Sequence, residues 1–309
     1  MKTQFSFFRR LFILAIGFIF LISESMAQNN GILPLTGLRY FKEGIVAKNI
    51  DVKIDGAQLL NNKIPLDKEI EIALVQPSGF SQDNNKTVFA AAEVIVLSSK
   101  GEVLSTEPNV FAKSQSTGFT AKDLAAFSIK FVINTGMMKA NNNGTVKIRL
   151  YDLKGKNQLR LEMPVTFARP GEQLQLSKIA KPIKAADGVT GMINGLKAKS
   201  MLVNVDTTIR VSPKMAYTSM DISNIEGSSI SEIFQGKENF WVYDSDLNEI
   251  KITDILLKQV KGAMENNNVD YTLKIPFRLK GNPAVKPYTV RFRWEGPDKK
   301  QVIDVVVNM

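Results

Sequence analysis

From about residue 28 onward, apolar and polar residues alternate with a period of two, and turn-forming residues interrupt the alternation roughly every eight to twelve positions. A period of two places successive side chains on opposite faces of an extended strand, so each such run predicts a strand with one buried face. The clearest is Leu159-Arg160-Leu161-Glu162-Met163-Pro164-Val165-Thr166-Phe167, in which Leu159, Leu161, Met163, Val165 and Phe167 share one face. Arg160, Glu162 and Thr166 share the other. Pro164 has no N–H to donate, so it belongs at an edge or where no ladder bond is made.

The same pattern occurs twice. Thr145-Val146-Lys147-Ile148-Arg149-Leu150 corresponds to Thr289-Val290-Arg291-Phe292-Arg293-Trp294, and Phe127 to Ile133 corresponds to Tyr271 to Phe277, both at a separation of 144 residues. Both copies then turn, through Asp152 to Asn157 or Glu295 to Lys300, and finish in an apolar strand, which in the second copy is Val302 to Val307. Asp67 to Ile72 resembles Asp206 to Val211 at a separation of 139, and Glu93 to Leu97 with its Ser98 to Gly101 turn parallels Phe240 to Tyr243 with Asp244 to Asn248. Matches in conserved order point to an internal duplication. Strands with one apolar face bury it by packing two sheets about 10 Å apart. The expectation is therefore an all-β chain of two tandem immunoglobulin-like β-sandwich domains with roughly seven strands each. The Cys pair and Trp of a true immunoglobulin domain are missing, so only the architecture is implied.

The boundary falls in Ala168-Arg169-Pro170-Gly171, followed by a polar, basic stretch containing Pro182. This gives a first domain over 28–169, a linker over 170–187 and a second domain over 188–309. One stretch departs from period two. Thr253 to Glu265, with Ile255, Leu256, Val260 and Met264 behind a Thr253 or Asp254 cap, predicts a helix crossing between sheets. Its counterpart, Thr120 to Leu124, is shorter.

The first residues change the picture of compartment. Lys2, Arg9 and Arg10 precede an apolar run from Leu11 to Ile22, and Ser25 and Ala27 place small residues where a signal peptidase reads them. Residues 1–27 are expected to be a signal peptide cleaved after Ala27, the run being shorter than the roughly 20 residues of a spanning helix. The expected destination is the periplasm or cell surface of a Gram-negative-type envelope, with no transmembrane segment after cleavage. With no cysteine in the chain, a lipidated-Cys anchor and disulfides are excluded, so stability must come from burial. The whole chain carries a net charge of +10. The mature chain would keep about +8, dispersed rather than gathered into the dense tracts of a nucleic-acid binder.

The chain also contains no histidine. Imidazole- and thiol-dependent catalysis, zinc sites of the HExxH kind and haem ligation are removed together. Glu69, Glu71, Glu93, Asp152, Glu162, Asp221 and Glu226 are carboxylates on strands, with no spacing that selects a catalytic pair. Asp244-Ser245-Asp246-Leu247-Asn248-Glu249 resembles the start of a calcium loop, but Glu249 stands where glycine is required and Ile255 where the closing glutamate belongs. It reads as a hairpin turn. Phosphate-loop motifs are absent. No catalytic residue, cofactor or metal is expected, and no nucleic acid.

Aromatic side chains could stack on sugar rings, and the candidates are Tyr40, Phe41, Tyr217, Trp241, Tyr243 and Trp294. Trp294 takes the place of Leu150 and reads as core. Trp241, with Tyr243 on the same face of its strand, is the expected ligand-binding pair. The functional expectation is a non-enzymatic envelope spacer or docking module that joins other envelope proteins, for example by strand addition at the closing strand Val302 to Met309. A glycan- or ligand-binding sandwich built on Trp241 and Tyr243 is the alternative.

Overall fold

The computed structural model describes residues 30–137, 142–183, 188–198, 203–210, 215–226, 235–255, 259–265, 268–279 and 289–308. The expected signal peptide lies outside the described residues. Alternation does what it predicts. The first half contains β1 (Asn30–Ile32), β2 (Arg39–Glu43), β3 (Asn49–Ile54), β4 (Ala57–Leu59), β5 (Lys63–Ile64) and β6 (Glu69–Val75). These are followed by β7 (Ala90–Ser98), β8 (Val103–Glu107), the helix α1 (Ala121–Ala125), β9 (Phe127–Val132), β10 (Asn143–Asp152), β11 (Gln158–Phe167) and β12 (Leu176–Ser177). The helix starts where Thr120 and Asp123 cap each other: the Thr120 hydroxyl accepts the Asp123 N–H while the Asp123 carboxylate accepts the Thr120 N–H.

Two sheets form from these strands, in the orders β1-β2-β11-β10-β7-β8, with β5 added parallel to β11, and β12-β4-β3-β6-β9. Their facing sides make one core, with Ile50, Val52, Ile70, Ile72, Ile129 and Phe131 from the second sheet meeting Ala92, Val94, Ile148, Leu161, Met163 and Phe167 from the first. All five apolar positions of the strand that runs from Leu159 to Phe167 are buried. Pro164 sits between the part of β11 paired with β2 and the part paired with β5. Phe111, Phe119 and Phe127, each pair with ring centroids 5.1 Å apart, close one end of the core.

The second half contains β13 (Lys181–Pro182), β14 (Val189–Asn194), β15 (Lys197–Ala198), β16 (Val203–Arg210), β17 (Met215–Glu226) and β18 (Lys237–Tyr243). After them come β19 (Glu249–Ile250), β20 (Ile252–Ile255), β21 (Gln259–Glu265), β22 (Asn268–Leu279), β23 (Thr289–Glu295) and β24 (Val302–Asn308). One sheet runs β13-β14-β24-β23-β18-β19 and another runs β15-β17-β22-β20, with β16 also on β17 and β21 also on β22. Thr145 faces Pro164 and Arg149 faces Arg160 in one hairpin, while Thr289 faces Asn308 and Arg293 faces Asp304 in the other.

Three sequence expectations change. The described part of Thr253 to Glu265 is not a helix: residues 253–255 lie in β20 and 259–265 form β21, both antiparallel to β22. Val260, Gly262 and Met264 also fit a period of two, and pairing of Glu265 with Asn268 closes β21 and β22 into a hairpin, which outcompetes a helical turn that has a glycine at its centre. The closing strand offers no edge, because β24 is paired with β14 on one side and β23 on the other. The stretch 170–187 carries β12, which extends a sheet of the first half, and β13, which pairs with β14. Among the described residues, twelve strands precede residue 180 and twelve follow it, more than seven per half because short strands such as β1, β12, β13 and β19 lengthen the sheets. Among the described residues, no helix is long and apolar enough to cross a membrane.

The alternation on β11 predicts a sharp contrast between neighbours. Leu161→Ala should cost about 2–5 kcal/mol in urea unfolding and Arg160→Ala less than about 1 kcal/mol; equal costs would contradict the burial assigned to this strand.

Candidate functional site

The most chemically distinctive place in the described residues is where the two halves meet. The tip between β1 and β2, Leu33 to Leu38, is folded on itself by bonds from Leu33 N–H to Leu38 C=O (2.8 Å) and from Gly37 N–H to Leu33 C=O (3.1 Å). Leu35 and Gly37 both adopt positive φ, 69° in each case. This turns the Leu35 carbonyl out of the loop and toward the sheet formed by β24, β23 and β18.

Two arginines receive that carbonyl. Arg291 Nη2 donates to Leu35 O at 2.8 Å and Arg293 Nη1 donates to it at 3.2 Å. Both arginines also hold Asp304, which lies on the neighbouring strand opposite Arg293. Arg291 grips it in bidentate fashion, Nε to Oδ1 at 3.0 Å and Nη2 to Oδ2 at 2.7 Å, while Arg293 Nη1 reaches Oδ2 at 3.1 Å. Glu295 accepts Arg293 Nε at 2.8 Å and Nη2 at 2.6 Å. Asp304 is 0% exposed, Arg293 4% and Arg291 6%. Two cations and two anions thus balance, and the planar guanidinium matches a carboxylate fork as a lysine could not. Burial alone would pull the Arg291 guanidinium down, but the charge and hydrogen bonds of Asp304, with a contribution from Tyr243, outweigh it and hold the group above its ordinary value.

The expected aromatic pair is at this junction. Tyr243 is buried in a cluster with Ile32, Leu247 and Val306, and burial raises its phenol above the ordinary value. Trp241 is half-buried against the same cluster, and the Arg291 guanidinium lies 4.7 Å from its ring centroid. One face of the indole is therefore occupied by a cation. Trp294 is buried, and Phe41 packs with Trp241 and Tyr243 against the junction; Tyr217 lies among residues whose side chains are not described. On the other side of the hairpin tip, Leu35 packs with Leu60 of the first half and Val302 of the second. The Arg39 guanidinium completes the contact, donating to Leu247 O at 3.1 Å and pairing with Glu162 at 3.2 Å.

The connecting segment is pinned from both ends. Lys63 pairs with Glu172, a hydrogen bond that holds the Glu172 carboxyl below the ordinary range. The Ser177 hydroxyl donates to Asn194 Oδ1, and Asn194 Nδ2 donates to Lys300 O at 2.6 Å. A cavity of about 260 Å³ opens beside the hairpin, between Tyr40, Lys42 and Asp51 of the first half and Thr190 and Met192 of the second.

The other candidates are dispersed. Asp244 Oδ1 accepts the N–H groups of Asp246 and Asn248, so its carboxylate closes the turn between β18 and β19. Ser98 Oγ does the same for Lys100 and Glu102 between β7 and β8. Among the strand carboxylates, Glu69 pairs with Lys130 and Asp152 is buried beneath the Ser81 N–H (2.6 Å), while Glu93 and Glu162 lie on the outer face of their sheet. The side chains of Asp221 and Glu226 are outside the described residues. The Arg–Asp–Arg cluster was missed in sequence because charged residues on alternating strands ordinarily mark the solvent face. The available signal was Asp304 itself, an acid within the apolar run Val302 to Val307 that follows the arginine-containing strand Thr289 to Glu295. The chain matches no protein-family model and no curated protein.

Removing one member of a buried charge cluster strands the others. Asp304→Asn should lower unfolding stability by about 3–5 kcal/mol. Gly37→Ala should instead undock the hairpin tip, since the added Cβ would collide with Arg291 Nη1 in a backbone conformation that disfavours alanine. Limited proteolysis of Gly37→Ala should then cut between the halves faster than in the parent chain; an unchanged cleavage rate would contradict the seating described for Leu35.

Proposed function

We propose that this chain is an exported, non-enzymatic component of a cell envelope, in which two duplicated immunoglobulin-like β-units serve as a rigid spacer and docking module for other envelope proteins. The observation that carries the reading is the junction: a hairpin tip from one half is seated on a buried, charge-balanced cluster of the other. A catalytic cleft requires solvent access to its reactive groups, whereas these arginines and their aspartate are committed to holding a carbonyl of the same chain. A spacer requires such a fixed joint. Trp241 and Tyr243 take a structural role in this reading, as the apolar wall that shields the ion pairs from water.

Support for duplication comes from three features. The hairpin β1–β2 lies beside β11, then β10, β7 and β8; the hairpin β13–β14 lies beside β24, then β23, β18 and β19. The β10–β11 and β23–β24 registers coincide at a constant separation of 144 residues. Ser98 and Asp244 close their turns by the same pair of bonds. Support for export is the charged, apolar and small-residue sequence of residues 1–27. Strand addition in this reading uses β9, which among the described residues pairs only with β6 and exposes Val132, in place of the doubly paired closing strand.

Affinity purification of the full chain from its native envelope, with the intact mass measured, tests the proposal. The expected result is a chain beginning at Gln28 in a fixed ratio with another envelope protein, in a complex that free glycans do not dissociate. A chain that retains residues 1–27, or a free monomer that binds an immobilised glycan through Trp241, would overturn it.

A further inference from the structure

Two polar side chains, Tyr40 and Lys42, project from the core side of β2. They stand opposite Leu161 and Leu159 of β11, and both leucines are buried in the core. Residues directly opposite on paired strands share a face, so the phenol and the ammonium point inward, at the margin of the sheet beside β1. Gly31 on β1 makes room for this, because a Cβ there would collide with the Tyr40 hydroxyl.

The protein satisfies neither polar end. The Lys42 ammonium lies 5.1 Å from the Tyr40 ring centroid and pairs with no carboxylate among the described residues. The Tyr40 hydroxyl donates to no described residue, and burial raises its phenol above the ordinary value with no hydrogen bond to offset it. Both side chains are half-buried. Polar groups in such a position ordinarily have a partner.

Both open into the cavity of about 260 Å³ between the halves. Its apolar walls are Ile32 and Ile50 from the first half and Ile183 and Met192 from the second. Lys48, which is exposed, and Asp51, which accepts Asn49 Nδ2 at 2.9 Å, also line it and are of opposite sign. Lys42 is then the cation left without a counter-charge. An apolar cavity of about 150 Å³ accepts benzene. In proportion, about 260 Å³ accepts roughly ten non-hydrogen atoms.

We propose that this cavity binds a small amphiphilic monocarboxylate, its carboxylate on Lys42 Nζ and the Tyr40 hydroxyl. An aliphatic chain of about eight carbons, the carboxyl included, lies against the isoleucines and Met192. Because the walls come from both halves, the bound molecule ties them together beside the seated hairpin tip.

Octanoate is the probe, kept below its micellar concentration, with binding to the full chain followed by isothermal titration calorimetry. One molecule should bind per chain with a Kd of about 1 mM or tighter, and the urea midpoint should rise with octanoate concentration. Octanol, which has the same chain and no charge, should bind at least about tenfold more weakly. Lys42→Met, which keeps the apolar stem, should weaken octanoate binding by at least about tenfold and Tyr40→Phe by at least about threefold. Lys100→Met, an equal charge loss at the β7–β8 turn, should leave it unchanged. Matching urea midpoints without ligand would show that the variants are folded, and the comparison of octanoate with octanol on the parent chain is independent of them. Failure to saturate at about 10 mM, or equal binding of octanoate by the parent chain and Lys42→Met, would overturn the proposal. So would several molecules per chain, octanol binding as well as octanoate, or octylammonium binding more tightly than octanoate, the last by assigning the cavity's polarity to Asp51.

Discussion

A carboxylate with no exposure to solvent, Asp304, is the constraint on which the arrangement of the two halves depends. Buried alone, it would cost many kcal/mol or take up a proton. Held by Arg291 and Arg293 it is satisfied, but the arginines are then buried too and have N–H groups left to place. Glu295 takes two of them and the Leu35 carbonyl takes two more. The last partner comes from the other half of the chain, so the cluster is complete only when the hairpin tip is in place. Ion pairs of this kind are weak sources of net stability compared with apolar packing of the same volume. What they supply is geometry, because a bidentate arginine accepts a carbonyl over a narrow range of directions. The apolar contacts of Ile32, Leu35 and Tyr243 supply the burial around it.

Much of the strand framework was legible in the sequence. Period-two alternation located β6, β7, β9, β10 and β11, and the turn chemistry of Ser98 and Asp244 marked the hairpins beside them. A short helix at Thr120 to Leu124 was expected only as the counterpart of Thr253 to Glu265; it forms for a local reason, the reciprocal cap of Thr120 and Asp123. Thr253 to Glu265 failed because a short apolar pattern with a glycine fits both periods, and only pairing with a distant strand decides between them. The role of β24 failed for a related reason: position at the chain's end suggests an edge, whereas sheet order is set by long-range pairing. Trp241 and Tyr243 share one face of their strand, as alternation requires. What covers that face is a segment about 200 residues away in sequence, which alternation does not encode.

The same limit hid the cluster. Arg291 and Arg293 have the spacing of ordinary solvent-facing residues, as do Lys147 and Arg149, which are indeed exposed. One face became an interior contact and the other stayed open although their patterns are alike. The difference resides in the partner strand, where Asp304 replaces the cation that Arg160 supplies. A neutral cluster can be buried under a carbonyl; on the first face Lys147 and Arg160 pair with Glu162 and Glu43 and stay at the surface.

The central claim is that the two halves form one body through the seated hairpin tip. Backbone residual dipolar couplings measured on the chain in a weakly aligning medium test it most directly. Couplings from both halves should fit a single alignment tensor, and Asp304→Asn should split them into two. Two different tensors in the unsubstituted chain would contradict the account.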